Sequence, residues 1–197
     1  MAARLTPLAP ERYRRTPWKN GGGVTLDIAG AWREGAEVGG WDGMIWRFGR
    51  TSIVTAAPFS DLTGFERMQV VIAGDGLVLE TPDGEISLRR AFEPVRYDGG
   101  TPVMSRLDNG PVEVVNLIAD RALGAIDLRV ISAGESLSLP GGEHVVYALD
   151  GRADLDCDGS TCVVEAGHAL GIAAPGDGAL AFLRGDARLV VGSFMPR

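Results

Sequence analysis

The chain is poor in the side chains from which metal centres and disulfide frameworks are built: two cysteines and two histidines in 197 residues. Cys157 and Cys162, separated by Asp158-Gly159-Ser160-Thr161, read as reduced thiols flanking a hairpin turn. A zinc site needs four ligands, and neither His144 nor His168 is spaced as a partner motif. A redox pair ordinarily has two intervening residues, not four. No apolar run approaches the ~18 residues of a membrane span. Met1-Ala2-Ala3-Arg4 leads straight into mixed proline and charged sequence, without the apolar stretch of a signal peptide. Positive charge is short as well: 19 Lys and Arg against 26 Asp and Glu give a formal net charge of -7 and a pI of about 4.9. That balance argues against a general nucleic-acid surface and a polybasic membrane anchor. The expectation is a soluble cytoplasmic protein with no nucleic-acid or membrane partner. A small cationic site is still allowed, because net charge describes the whole surface and a site is local.

Glycine is plentiful, at 28 residues, with 11 prolines beside it. These suit tight turns between short strands. Met44, Trp46 and Phe48 alternate with Ile45, Arg47 and Gly49, and Met68, Val70 and Ile72 with Arg67, Gln69 and Val71. Val112, Val114, Asn116 and Ile118 alternate with Glu113, Val115, Leu117 and Ala119. A two-residue period puts each set on one face of a strand. Turn signals recur at Gly74-Asp75-Gly76, Pro82-Asp83-Gly84, Asp98-Gly99-Gly100 and Asp108-Asn109-Gly110-Pro111. Only residues 7–15 leave room for a helical turn. The fold class expected is all-β.

The rhythm of strand, glycine, strand, glycine over residues 67–84 returns over residues 144–159. It resembles a cupin jelly-roll barrel duplicated in one chain. The expected organisation is an N-terminal barrel in residues 1–120, holding the ligand pocket, and a C-terminal barrel in 121–197, with exchange of N-terminal strand residues left open. A metal-binding cupin carries His-x-His, three or four residues, Glu, six residues and Gly. Counting back from Gly74 puts Arg67 at the Glu position and Asp61 and Thr63, or Ser60 and Leu62, at the His positions. Counting back from Gly151 puts His144 at the Glu position and Ser138 and Pro140, or Leu137 and Leu139, at the His positions. Neither half can build the centre, so no metal and no cofactor are expected. A lone histidine at a strand edge is ordinarily a surface or hydrogen-bonded residue. Arg67 in place of a ligand carboxylate reverses the local charge and favours an anion.

Asn116 lies on a face otherwise made of Val112, Val114 and Ile118. A buried amide without partners costs about 1–3 kcal/mol, so it either staples a neighbouring strand or faces a ligand. Arg47 either snorkels or points into a pocket. The Lys19-Asn20-Gly21-Gly22-Gly23 loop is either a turn into the strand Val24–Ile28 or an anion cradle. It lacks P-loop order, since the lysine precedes the glycines.

Four segments in order resemble the HutD/Ves family of bicupin proteins. They are Pro17-Trp18-Lys19-Asn20-Gly21-Gly22-Gly23-x-Thr25; Trp46-Arg47 with Pro58-Phe59-Ser60; Gly64-Phe65-Glu66-Arg67; and Val115-Asn116-Leu117-Ile118-Ala119-Asp120-Arg121. Against the family pattern, Ala57 replaces a glycine, Glu66 an Asp, Ile118 a Met, and Gly49 a Ser whose hydroxyl would lie near Arg47. The resemblance implies a metal-free binding or regulatory protein linked to histidine utilisation, with an N-formylglutamate-like ligand. Its site residues would be Lys19, Asn20, Arg47, Ser60, Arg67 and Asn116: cationic groups for carboxylates, amides for an amide or formyl group. No catalytic residue is assigned. The competing readings are a metal-independent cupin enzyme (isomerase, epimerase or hydrolase) drawing on His144, His168, Asp61 or Glu66, and an interaction module forming a homodimer.

Overall fold

The computed structural model describes residues 2–18 and 23–197. After β1 (Arg4–Leu8) and a short 3-10 turn at Pro10–Arg12 come β2 (Arg14–Pro17), β3 (Val24–Trp32), β4 (Met44–Ile53), β5 (Phe65–Ala73) and β6 (Leu77–Thr81). Then follow β7 (Gly84–Ser87), β8 (Val95–Asp98), β9 (Met104–Leu107) and β10 (Val112–Asp120). The rest of the chain forms β11 (Gly124–Ser132), β12 (Ser136–Leu139), β13 (Gly142–Ala148), β14 (Arg152–Cys157), β15 (Ser160–Glu165), β16 (Ala169–Ala174), β17 (Ala179–Gly185) and β18 (Arg188–Pro196). The protein is all-β, and among the described residues no helix is long and apolar enough to cross a membrane.

Two compact units result, one of Arg14–Leu123 and one of Met1–Tyr13 with Gly124–Arg197. The sequence suggested a division at 120/121. In the structure the first thirteen residues go with the C-terminal part, because β1 pairs antiparallel with β16, Leu5 opposite Ile172. Tyr13 adds to this by donating from its hydroxyl to the carbonyl oxygens of Leu8 (3.1 Å) and Gly167 (2.9 Å).

In the Arg14–Leu123 unit a six-stranded sheet, β2-β3-β4-β10-β5-β8, accompanies a three-stranded one, β7-β6-β9. The C-terminal unit has a five-stranded sheet, β1-β16-β13-β18-β11, and a four-stranded one, β12-β17-β14-β15. Gly74, where β5 ends, takes φ +97°, and a Cβ there would lie 2.5 Å from the Pro111 carbonyl oxygen. Only glycine fits that turn.

Alternation along the strands decides what is inside. In the C-terminal unit Leu137, Leu155, Leu170, Leu183, Leu189 and Val191 form one apolar core. Each such side chain contributes roughly 1.5–3 kcal/mol by leaving water. In the Arg14–Leu123 unit a cluster around Leu77, Leu79, Val112 and Val114 is joined by a smaller one of Met44, Leu62 and Ile118. Polar residues occupy the interior between them. All four tryptophans, Trp18, Trp32, Trp41 and Trp46, belong to this unit.

Candidate functional site

Side chains two apart on a strand share a face, and three neighbouring strands use that rule to build a polar cavity in the Arg14–Leu123 unit. On β10, Ile118 stands opposite both Arg47 of β4 and Arg67 of β5. One step along the same face, Asn116 stands opposite Gly49 and Gln69. The next strand, β3, sets Asp27 opposite Gly49 and Thr25 opposite Thr51. With Trp18, Phe59, Ser60 and Leu62 these residues, apart from Asp27, line a cavity of about 40 Å³. That is room for a few water-sized groups.

The charges are deeply buried: Arg47 and Arg67 in the lining are 2% and 8% exposed, and Asp27, which pairs with Arg47, is 7% exposed. Arg47 donates from Nε to Asp27 Oδ1, and Asp27 Oδ2 accepts from the Thr16 hydroxyl at 2.5 Å. Burial raises the Asp27 pKa, outweighing the neighbouring Arg47 charge and the Thr16 hydrogen bond, which pull it down. The Arg47 guanidinium also lies 4.9 Å from the Trp41 ring centroid. That of Arg67 lies 4.9 Å from Phe59 and 5.2 Å from Tyr97. Electron-rich ring faces hold a cation without neutralising it. Tyr97 in turn donates to Gln69 Oε1 at 2.9 Å.

Four polar atoms of this lining are buried without a hydrogen-bond partner among the described residues: Nη1 and Nη2 of Arg47, Nε of Arg67 and Oδ1 of Asn116. Buried polar groups are nearly always satisfied, so a convergent set of orphans is unusual.

Of the residues singled out from the sequence, Arg47, Ser60, Arg67 and Asn116 are brought together in this one cavity. Lys19 and Asn20 lie outside the described residues. Gly49, in place of a serine, sits in the lining between Asp27 and Asn116. A Cβ there would come 2.6 Å from Thr25 Cγ2 and 2.9 Å from the Leu26 carbonyl oxygen, so the glycine lets β3 close in. Sequence reasoning missed Asp27, the counter-charge of Arg47, and the supporting Thr16, Gln69, Trp41 and Tyr97. Asp27 carried a usable signal, a carboxylate between Leu26 and Ile28 in a strand.

His144, which the glycine count matches to Arg67, is inside the C-terminal unit. It lies on β13, flanked by β16 and β18 and not at an edge, opposite Ile172 and Ser193. Nε2 is 2.8 Å from the Pro140 carbonyl oxygen and Nδ1 is 2.8 Å from Ser193 Oγ. A carbonyl only accepts, so Nε2 carries the proton and Nδ1 accepts from the serine. Burial lowers the His144 pKa and keeps the ring neutral. His168 sits in the turn before β16, with Nδ1 3.4 Å from the Ala166 carbonyl oxygen. Cys157 and Cys162 are free thiols on the β14–β15 hairpin, opposite Ser160 and Leu155.

A metal ion does not fit these donors. Among the described residues no three His, Cys, Asp or Glu side chains converge, and the cavity presents guanidinium and amide groups in place of imidazole and carboxylate.

The paired antiparallel sheets define a cupin-like fold. A cupin-2 conserved barrel domain protein from Leptotrichia buccalis superposes with a TM-score of 0.54 at 11% identity, over 87% of this chain and 88% of its own. The match to HutD from Pseudomonas fluorescens SBW25 is fuller: TM-score 0.76, 23% identity, 98% of this chain and all (100%) of that one. The chain belongs to the HutD family, which it matches over residues 10–190. The resemblance read from the Pro17–Thr25 stretch and its companions is thus borne out. Over 117 residues the chain is 35% identical to an uncharacterized 21.2 kDa protein encoded in the hutC 3′ region of Pseudomonas putida. That match spans 59% of this chain and 58% of the relative, less than two thirds of its length.

Proposed function

We propose that the Arg14–Leu123 unit binds a small carboxylate metabolite, and that the protein is a non-catalytic accessory or regulatory component of histidine utilisation with an N-formylglutamate-like ligand. One observation carries the reading: of two buried guanidinium groups facing one cavity only Arg47 has a carboxylate partner, Asp27, and three of their nitrogens have no hydrogen-bond partner among the described residues. Leaving charged donors buried and unpaired is costly, and an anion would remove the cost. The charge count also limits the ligand. Among the described residues, Arg47 and Arg67 against Asp27 leave one positive charge, which suits a monoanionic carboxylate head better than a phosphate dianion. The 40 Å³ cavity suits a head group of that size. Trp18 also lines a neighbouring cleft of about 460 Å³ with Arg14, Arg15 and Trp41, where the remainder of such a ligand would lie. The link to histidine utilisation rests on family membership and on the hutC 3′ location of the Pseudomonas putida relative.

Titration calorimetry and thermal shift with N-formylglutamate, urocanate and glutamate test the proposal. N-formylglutamate is expected to bind, and Arg67→Met to abolish that binding. Neither heat nor a thermal shift with any of the three would reject it.

A further inference from the structure

The orphaned atoms of the cavity are not all donors, and the exception is informative. Arg47 and Arg67 offer nitrogens that call for an anion, but Asn116 Oδ1 is a buried acceptor, and among the described residues none hydrogen-bonds to it. Gln69, directly opposite on β5, is held through its Oε1 by the Tyr97 hydroxyl and makes no hydrogen bond to Asn116 Oδ1. Gly49, directly opposite on β4, has no side chain. Thr25 and Thr51 are within hydrogen-bond distance of each other at 2.7 Å, and Thr16 is committed to Asp27. Asn116 stands one same-face step along β10 from Ile118, which is flanked by both arginines. That step is about 6.6 Å of strand rise, short enough for one small molecule to reach both.

We infer that Asn116 is a specificity-determining residue: it selects, among carboxylates, those bearing an N–H or O–H donor close to the carboxylate, such as 2-hydroxy acids and acylamino acids. The inference rests on the carboxylate reading of the same cavity and adds a second requirement to it. A ligand lacking the donor leaves the amide oxygen buried and unpaired on binding, whereas a matched ligand pairs it. Discrimination by a site's own unpaired polar group is large compared with that from added apolar contact.

Matched pairs separate the two claims. Wild-type protein is titrated with lactate and propionate, and with N-acetylglycine and its N-methyl analogue N-acetylsarcosine. The expected result is a preference of about tenfold or more for the donor-bearing member of each pair. Asn116→Leu, with its fold checked by circular dichroism, is expected to bind all four within about threefold of one another. Equal binding of both members by the wild type overturns the role of Asn116 while leaving the carboxylate site standing. A preference that survives in Asn116→Leu overturns it too. Failure of all four acids to bind the wild type overturns the carboxylate site and the inference together. The wild-type comparison needs no variant, so a misfolded Asn116→Leu does not remove the test.

Discussion

Arg67 and His144 each lie seven residues before a glycine, Gly74 and Gly151, and both point into the interior of their own unit. Their surroundings differ completely. His144 has a partner for each ring nitrogen, Ser193 and the Pro140 carbonyl, beside a core of leucine and valine. Arg67 has aromatic faces and an unpaired Nε, in a cavity shared with a second arginine. The lesson is that a buried polar residue at one topological position can serve as structure or as recognition, and that its hydrogen-bond accounting tells which. A satisfied group closes an interior, whereas an unsatisfied one leaves it incomplete without a guest.

The sharpest way to break this contrast is Asp27→Ala. It strips Arg47 of its ion-pair partner and leaves a buried charge uncompensated, so it should cost about 3–5 kcal/mol in urea unfolding. Tryptophan fluorescence is the probe, since all four tryptophans report on the Arg14–Leu123 unit. An unchanged midpoint would mean that the pair does not hold the cavity together.

Arg67→Met should move stability the other way, by about 1–4 kcal/mol, because an apolar side chain of similar length replaces a buried guanidinium with no ionic partner among the described residues. The same variant should lose carboxylate binding. A loss of stability instead would mean that the Phe59 and Tyr97 contacts outweigh desolvation. In the C-terminal unit, where both ring nitrogens of His144 are satisfied, the change has the opposite sign. Ser193→Ala takes the donor from His144 Nδ1 and should cost about 1–3 kcal/mol, read by circular dichroism during urea unfolding.

Smallest of all are the pH effects, at most about 1.4 kcal/mol per pH unit for each group. Here too the units oppose one another. The folded pKa of His144 is below 6.5, so its contribution is complete above pH 6.5 and is lost as the pH falls through the folded value. The folded pKa of Asp27 is above 3.8, so its contribution is complete below pH 3.8 and is lost as the pH rises through the folded value. Thermal melts across this range should show His144→Asn flattening one dependence and Asp27→Asn the other.

Much of this was legible in the sequence, and the reason is local. Strands announce themselves by alternation and turns by glycine, so nearly every hairpin from residue 44 onward was readable. Arg67 and Asn116 stood out because a polar residue on an otherwise apolar face is a local contradiction. Asp27 was less visible, because Val24–Ile28 with Thr25 and Asp27 on one face reads equally well as a half-exposed strand. Its burial depends on which strand lies beside it, and register between distant strands has no local signature. The place of β1 was hidden for the same reason. Nothing in Arg4–Leu8 says that its partner is Ala169–Ala174.

That pairing has a consequence for how the chain is made. Arg14–Leu123 is continuous in sequence, whereas β1, made before it, must wait for a strand made after it. At the ~5–20 residues per second of synthesis, Arg4–Leu8 spends on the order of ten to thirty seconds with its backbone groups unclaimed. Pro7 within the strand and Pro10 just after it make it a poor template for other chains during that time. The composition of β1 therefore answers to the order of synthesis as well as to the finished sheet.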